Sequence, residues 1–486
     1  MKRIRTLLFI TILVFSNVIT VFAENNSVQT VSADTSKTDS TSNKIIWPKG
    51  PSVVAESAVV IEATTGVILY KKNKDDQHYP ASITKILTTL LALENSSLSE
   101  TITFSKDAVY GIEVGSSSIG AMVGEELTME QCLYAIMLES ANEVSSAVAE
   151  HIAGSTAKFA DMMNAKAKEL GCKNTNFVNA NGLHNDNHYT TAYDMALISQ
   201  AAMKNSTFRT ITSTKRFTIP ITNKYKEIRY LCNHQQMLYA NKYPQYKYDG
   251  CIGGKTGYTQ KAGNTLVTFA KRGDMELICI VMKSTSPALS ANQYTDTSSL
   301  LDFAFNNYSI YNIASSNDNK ILENNLLFSR YNCLFNEEVT PLKICGTGNV
   351  VLPKTATLSD ATQNVELFKN ITIKDGENKI GSISYTYGDR IVGSTDITYN
   401  KTLSPMLVSK STSIKNNQVG YGLHTIAGTK DLKPLIIFGI IVIIIIVLTL
   451  AYCYLRFWGN GKRLHLPFHR RKNTSTFDHN FMDFKP

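Results

Sequence analysis

Ser82 and Lys85 stand three residues apart in Tyr79-Pro80-Ala81-Ser82-Ile83-Thr84-Lys85-Ile86-Leu87-Thr88-Thr89-Leu90-Leu91. Pro80 marks a helix start, and Ile83, Ile86, Leu87, Leu90 and Leu91 recur at helical spacing, which predicts a buried helix carrying the hydroxyl and the amine on one face. A lysine stripped of water favours its neutral form, and a neutral amine can take the proton of a neighbouring serine. The helix N-terminus adds backbone N–H groups where an oxyanion would develop during acyl transfer. A nucleophile, its base and part of its electrostatics thus fit into one short segment. On its own S-x-x-K also describes many solvated helix faces, so its weight rests on partners downstream. Two are present: Ser140-Ala141-Asn142 and Lys255-Thr256-Gly257.

Several elements must bring these groups together. Residues 58–62 and 66–70 are β-rich runs joined by Ala63-Thr64-Thr65, a hairpin leading into the Ser82 helix. Thr128 with Gln131 forms a capping-box signature for a helix with Leu133, Ile136, Met137 and Leu138 on its apolar face, and this helix delivers Ser140 at its far end. A second helical run spans 143–152, so the Ser140 hydroxyl and the Asn142 amide lie at a helix junction; capping alone would also account for them. Residues 170–183 read as a turn-rich loop, and Thr191 and Asp194 cap the following helix over 192–204. His184 and His188 read as solvated, turn-stabilising residues, since no carboxylate or cysteine pattern joins them. Lys255 sits among Gly253, Gly254 and Gly257 on a strand that can approach another chain closely, where it offers a cation to a substrate carboxylate. On a sheet edge that strand would let an extended peptide add alongside it. A second hairpin over 265–270 and 277–282 and a helix over 295–306 complete this folded body, assigned to 46–310. Short β-like runs follow, assigned as a small all-β domain over 320–408.

With 486 residues, 43% of them hydrophobic, the chain can bury more than one core. Of its net charge of +9, +8 sits at the two ends. Lys2, Arg3 and Arg5 give +3, and seven Lys or Arg against Asp478 and Asp483 give residues 456–486 +5, leaving +1 over 24–455. No basic nucleic-acid face is therefore expected. Eight cysteines include no C-x-x-C and no Cys/His cluster with zinc spacing, so neither a metal nor another cofactor is expected. Cys132 and Cys279 lie in apolar runs and read as small core residues; disulfide pairing of the others is left open. Residues 1–23 carry a basic start, an apolar run and a small final residue, the pattern of a secretory signal peptide. A polar linker over 24–45 follows. At the other end a linker over 409–433 leads to 434–455, uncharged and long enough to span a bilayer as a helix. The basic tail 456–486 places the C-terminus in the cytoplasm and the body outside.

S-x-x-K, S-x-N and K-T-G in that order resemble the set of the penicillin-recognising serine acyltransferases. From about 46 to 305 the surrounding phrases look like the low-molecular-mass penicillin-binding proteins, the serine-type D-alanyl-D-alanine carboxypeptidases. That resemblance implies an α+β, β-lactamase/transpeptidase-like fold, with an antiparallel sheet flanked by helices and a helical subdomain. It implies a peptidoglycan stem peptide ending in D-Ala-D-Ala as substrate and β-lactams as covalent inhibitors. Matched position by position, Ser82 is the nucleophile, Lys85 the base and Ser140 a proton relay. Asn142 contacts the substrate amide, Lys255 and Thr256 hold its carboxylate beside Gly257, and the backbone N–H groups of Ser82 and Tyr258 form the oxyanion hole. Ala141 stands where these enzymes usually have glycine, and Cys251-Ile252-Gly253-Gly254 is a longer lead into K-T-G than usual. A β-lactamase or a transpeptidase is the alternative within this chemistry, although no glutamate motif for rapid deacylation is present. An inactive wall-binding protein is the alternative outside it, against which stands the full set of motif side chains.

Overall fold

The computed structural model describes residues 45–240, 243–285, 291–313, 342–345, 348–368 and 371–400. The chain divides into Met1–Leu407 and Val408–Pro486, and everything described belongs to the first unit. The expected leader over 1–23, the span over 434–455 and the basic tail lie outside the described residues. Among the described residues no helix is long and apolar enough to cross a membrane.

Strands β1 (Ser57–Glu62) and β2 (Ile68–Lys72) form the predicted hairpin, but β1 also pairs with a strand from far down the chain. Strands β7 (Cys251–Thr259), β8 (Gly263–Arg272) and β9 (Met275–Ser284) complete one antiparallel sheet in the order β2-β1-β9-β8-β7. The Lys255 strand is thus an edge. The nearly continuous apolar runs of β1, β8 and β9 follow from burial on both faces. Val59, Ile61, Val267, Phe269, Ile278 and Ile280 pack into one core, and their neighbours Ala58, Val60, Leu266, Leu277, Cys279 and Val281 into another. Each such Val, Ile or Leu stabilises the fold by about 1.5–3 kcal/mol.

The first core is closed by α1 (Lys85–Asn95), α2 (Met129–Leu138), α3 (Asn142–Ala153) and α4 (Ala192–Met203). The second is covered by α5 (Asn292–Asn307), three residues longer at its start than the spacing predicts. Thr128 and Gln131 make the reciprocal capping box. At α4, Thr191 accepts from Asp194 N, while the Asp194 carboxylate turns away to bind the backbone N–H groups of Lys173 and Asn174. Cys132 and Cys279 are buried, and Cys132, Cys172, Cys232, Cys251 and Cys279 carry free thiols.

A β-rich region follows. Strand β10 (Tyr308–Asn312) crosses the end expected for the first body at 310 and pairs with Asn349–Pro353. Four further strands form a separate sheet whose core contains Ile383, Tyr385, Val392 and Ile397. Asn349 Nδ2 donates to Thr64 Oγ1 at 2.8 Å, tying this region to the β1–β2 turn.

Candidate active site

The predicted single helix from Pro80 is in fact two elements. A 3₁₀ turn, Ala81–Thr84, carries Ser82, and α1 begins at Lys85. Ala81 holds φ at 51°, a left-handed conformation that costs a non-glycine residue about 1–2 kcal/mol. Its surroundings fix it there. Thr265 Oγ1 donates to Pro80 O at 2.8 Å, and Gly182 passes so close that a Cβ on it would lie 1.9 Å from Ala81 O. On the other side, a Cβ at Gly257 would sit 2.3 Å from Thr265 Oγ1 and 2.9 Å from Ser82 N. Only glycine at 257 lets β7 lie against the nucleophile's backbone.

Lys85 is completely buried. Its Nζ donates to Asn142 Oδ1 at 2.6 Å and to Asn181 O, and lies 3.1 Å from Ser82 Oγ. Burial first, and then the cation of Lys255, pushes the Lys85 amine well below the usual lysine range, against the opposing pull of Glu143. A neutral amine has two N–H bonds and one lone pair. The amide oxygen and the carbonyl can only accept, so they take both hydrogens. The lone pair is left for the Ser82 hydroxyl, which is the orientation proton abstraction requires.

Ser140 follows the end of α2 in a left-handed conformation, φ 61°, and its Oγ is buried without a partner among the described residues. Ala141 has φ −58°, so alanine in place of glycine there strains nothing. Lys255 is buried with its Nζ 3.0 Å from Thr256 O. Burial pushes its amine down to about 7, with the Glu139 carboxylate pulling the other way. The long lead into this strand is absorbed by a β-bulge between Cys251 and Gly253. Ser82, Ser140, Asn142, Thr256, Gly257 and Tyr258 line one cleft of about 1240 Å³. Lys85 lies behind this lining, bonded to Ser82 and Asn142, and the buried Lys255 sits next to Thr256 on the same strand.

Other residues at this site carry no motif signal. The Asn181 carbonyl comes from the loop read as turn-rich, where the Asn181-Gly182 pair is the local signal. Glu139 accepts from Cys232 N at 2.6 Å and pairs with His234 at 3.0 Å. The solvated role expected for His188 is wrong, because the loop folds beneath the nucleophile. His188 is buried, accepts at Nδ1 from Val178 N at 3.1 Å, and therefore presents its Nε2 hydrogen to Thr84 Oγ1 at 2.9 Å. Burial, with Lys85 second, pushes its imidazole down to about 3, so it stays neutral. His184 stays partly exposed beside Asp186.

Residues 44–286 match a peptidase family described as D-alanyl-D-alanine carboxypeptidase. The chain belongs to this family. It is 37% identical over 268 residues to D-alanyl-D-alanine carboxypeptidase DacF of Bacillus subtilis (strain 168), covering 54% of this chain and 65% of that one. It is 33% identical to the D-alanyl-D-alanine carboxypeptidase of Streptomyces sp. (strain K15), covering 52% of this chain and 88% of the relative. The chain thus spans less than two thirds of the Bacillus protein's length. Among solved structures, D-alanyl-D-alanine carboxypeptidase DacD from Francisella tularensis superposes with a TM-score of 0.53 at 25% identity, covering 75% of this chain and 96% of that one.

If the Lys255 cation holds a substrate carboxylate, the pH profile follows from its position. The amine is charged below about 7 and loses its charge above, so kcat/KM for a carboxylate-bearing donor falls on the alkaline side. A bound carboxylate favours the cation, so the matching limb in kcat lies at higher pH. A donor with its carboxylate capped as an amide lacks this limb. Identical alkaline limbs for the two donors would remove Lys255 from carboxylate binding.

Proposed function

We propose that this chain is a serine-type D-Ala-D-Ala carboxypeptidase acting on peptidoglycan stem peptides and acylated by penicillins. The observation that carries the reading is the buried Lys85 Nζ within hydrogen-bond reach of Asn142 Oδ1, Asn181 O and Ser82 Oγ, a setting in which a neutral amine gives its two hydrogens to the first two and turns its lone pair to Ser82. Lys255 and Thr256 hold the terminal carboxylate, and Asn142 Nδ2 meets the substrate amide. Lys85 takes the Ser82 proton as Oγ attacks the penultimate D-Ala carbonyl, and the backbone N–H groups of Ser82 and Tyr258 receive the oxyanion. Ser140 relays a proton to the departing amine, D-alanine leaves, and water releases the shortened peptide from Ser82. No cofactor takes part in this scheme. The test is to incubate the full-length chain in detergent with a D-Ala-D-Ala-terminated peptide and follow free D-alanine, crosslinked dimer and penicillin hydrolysis together. Free D-alanine without the other two supports the reading. Dimer as the main product makes it a transpeptidase, rapid turnover of penicillin a β-lactamase, and none of the three an inactive binding protein.

Its place follows from the ends of the sequence. Residues 1–23 act as a secretory signal, 434–455 as a single membrane span and 456–486 as a basic cytoplasmic tail, holding the active serine outside the membrane where its substrate lies. Protease added to intact cells then shaves the body and spares the tail. A tail cut from outside would overturn this orientation.

A further inference from the structure

Ser140 and Asn142 are bracketed by two carboxylates, Glu139 and Glu143, and the second enters the scheme above only through its charge on Lys85. Glu143 is 1% exposed, a depth at which an unbonded carboxylate is costly. The Glu143 Oε2 has no partner among the described residues, so Oε1 carries the bonds. It lies in the first turn of α3, where the helix dipole favours negative charge. Its Oε1 accepts from Ser118 Oγ and Ile119 N, both at 2.7 Å, and from Ala121 N at 3.5 Å. The preceding residue adds a fourth link, Asn142 N donating to Ser117 O at 2.9 Å. Four contacts from two consecutive residues therefore fasten 117–121 to the start of α3.

What they fasten is a wall of the cleft. Glu113, Val114, Gly115, Ser116 and Ser117 line the same cleft as Ser82, in a stretch that forms neither helix nor strand and leaves Val114 fully exposed. A wall without its own ladder of backbone bonds takes its position from where it is tied. We propose that Glu143 is a specificity-determining positioning residue that fixes the 113–121 wall against which the acyl side chain of the donor packs. The proposal rests on the acyl-transfer reading and deepens it. Asn142 serves the base and Glu143 the wall, so one helix start sets both the reacting atoms and the fit of the remoter part of the donor.

The test compares acylation of the full-length protein by benzylpenicillin, which carries a bulky side chain, and by 6-aminopenicillanic acid, which carries none. Glu143→Ala should lower the ratio of the two acylation rates by roughly tenfold, within the loss that small misplacements of positioning groups produce. Glu143→Gln keeps a carbonyl oxygen that can accept from Ser118, Ile119 and Ala121, and should restore most of the ratio. Ser118→Ala removes one partner and leaves the carboxylate, so it should move the ratio the same way by less, and it decides the matter if Glu143→Ala fails to fold. An unchanged ratio in folded Glu143→Ala or in Ser118→Ala overturns the proposal, even if both rates fall together as a loss of stability would make them. Wild-type protein that neither compound acylates sinks the acyl-transfer reading and this proposal with it.

Discussion

Ser82→Ala abolishes covalent labelling by penicillin, and Lys85→Ala suppresses it nearly as far. Nucleophile and base act as a unit, so each single loss should cost at least roughly 10³-fold and the double variant little more. Lys85→Arg is the sharper probe. Arginine keeps the charge and approximate length but does not give up its proton at any working pH. It would also place three acceptors, Asn142 Oδ1, Asn181 O and Ser82 Oγ, around a group with no lone pair to offer. Labelling of the arginine variant should therefore match that of the alanine variant, as measured by the second-order rate of acylation in protein whose near-ultraviolet circular dichroism is native. If the folded arginine variant labels near the wild-type rate, Lys85 is a structural cation. The next candidate base is then Ser140, whose buried hydroxyl is unpartnered among the described residues.

The second large effect comes from a residue with no side chain. Gly182 holds φ at 83°, and an added Cβ would lie 1.9 Å from Ala81 O, 2.4 Å from Ala81 C and 3.0 Å from Thr84 Oγ1. Two of those three atoms are backbone, so no side-chain rotation relieves the clash, and alanine is itself disfavoured at that φ. The 179–183 loop must then move away from the Ser82 turn and carry the Asn181 carbonyl off Lys85. Gly182→Ala should lower acylation by roughly 10²-fold, the scale on which a displacement of about 1 Å in a positioning group is felt. The sheet, which Gly182 does not touch, should keep its cooperative unfolding. Acylation within a few-fold of wild type would mean that the loop yields without moving Asn181.

The contrast between these two predictions shows which parts of the site the sequence discloses. Ser82, Lys85, Ser140, Asn142 and Lys255 are visible because the chemistry demands particular side chains at short spacings, and the elements that carry them announce themselves locally. The Thr128–Gln131 capping box and the apolar runs of β1, β8 and β9 are examples. Asn181 contributes a backbone carbonyl, which any residue could supply, from 96 positions away. His188 looks like a loop histidine until the loop is seen to fold beneath Thr84, 104 positions back. The 3₁₀ turn at Ser82 escapes for the same reason: its left-handed Ala81 is held by Thr265 and Gly182, and no local propensity favours it. Glu143 reads as an ordinary first-turn acid, and nothing in its own segment points to Ser118 or Ile119.

The order in which the strands are laid down also governs when the serine becomes dangerous. Ser82 and Lys85 are synthesised early, but Lys85 meets Asn142 across 57 positions and Asn181 across 96, and Thr265 reaches Pro80 across 185. Strand β1 finds its partner β9 only near the end of the catalytic region. Contacts so distant in sequence form slowly and late. A nascent or half-folded chain thus carries a serine beside an ordinary solvated lysine, inert toward amides and β-lactams alike. Acquisition of penicillin reactivity times the completion of folding, and it confines the reactive hydroxyl to the compartment in which the last strand docks.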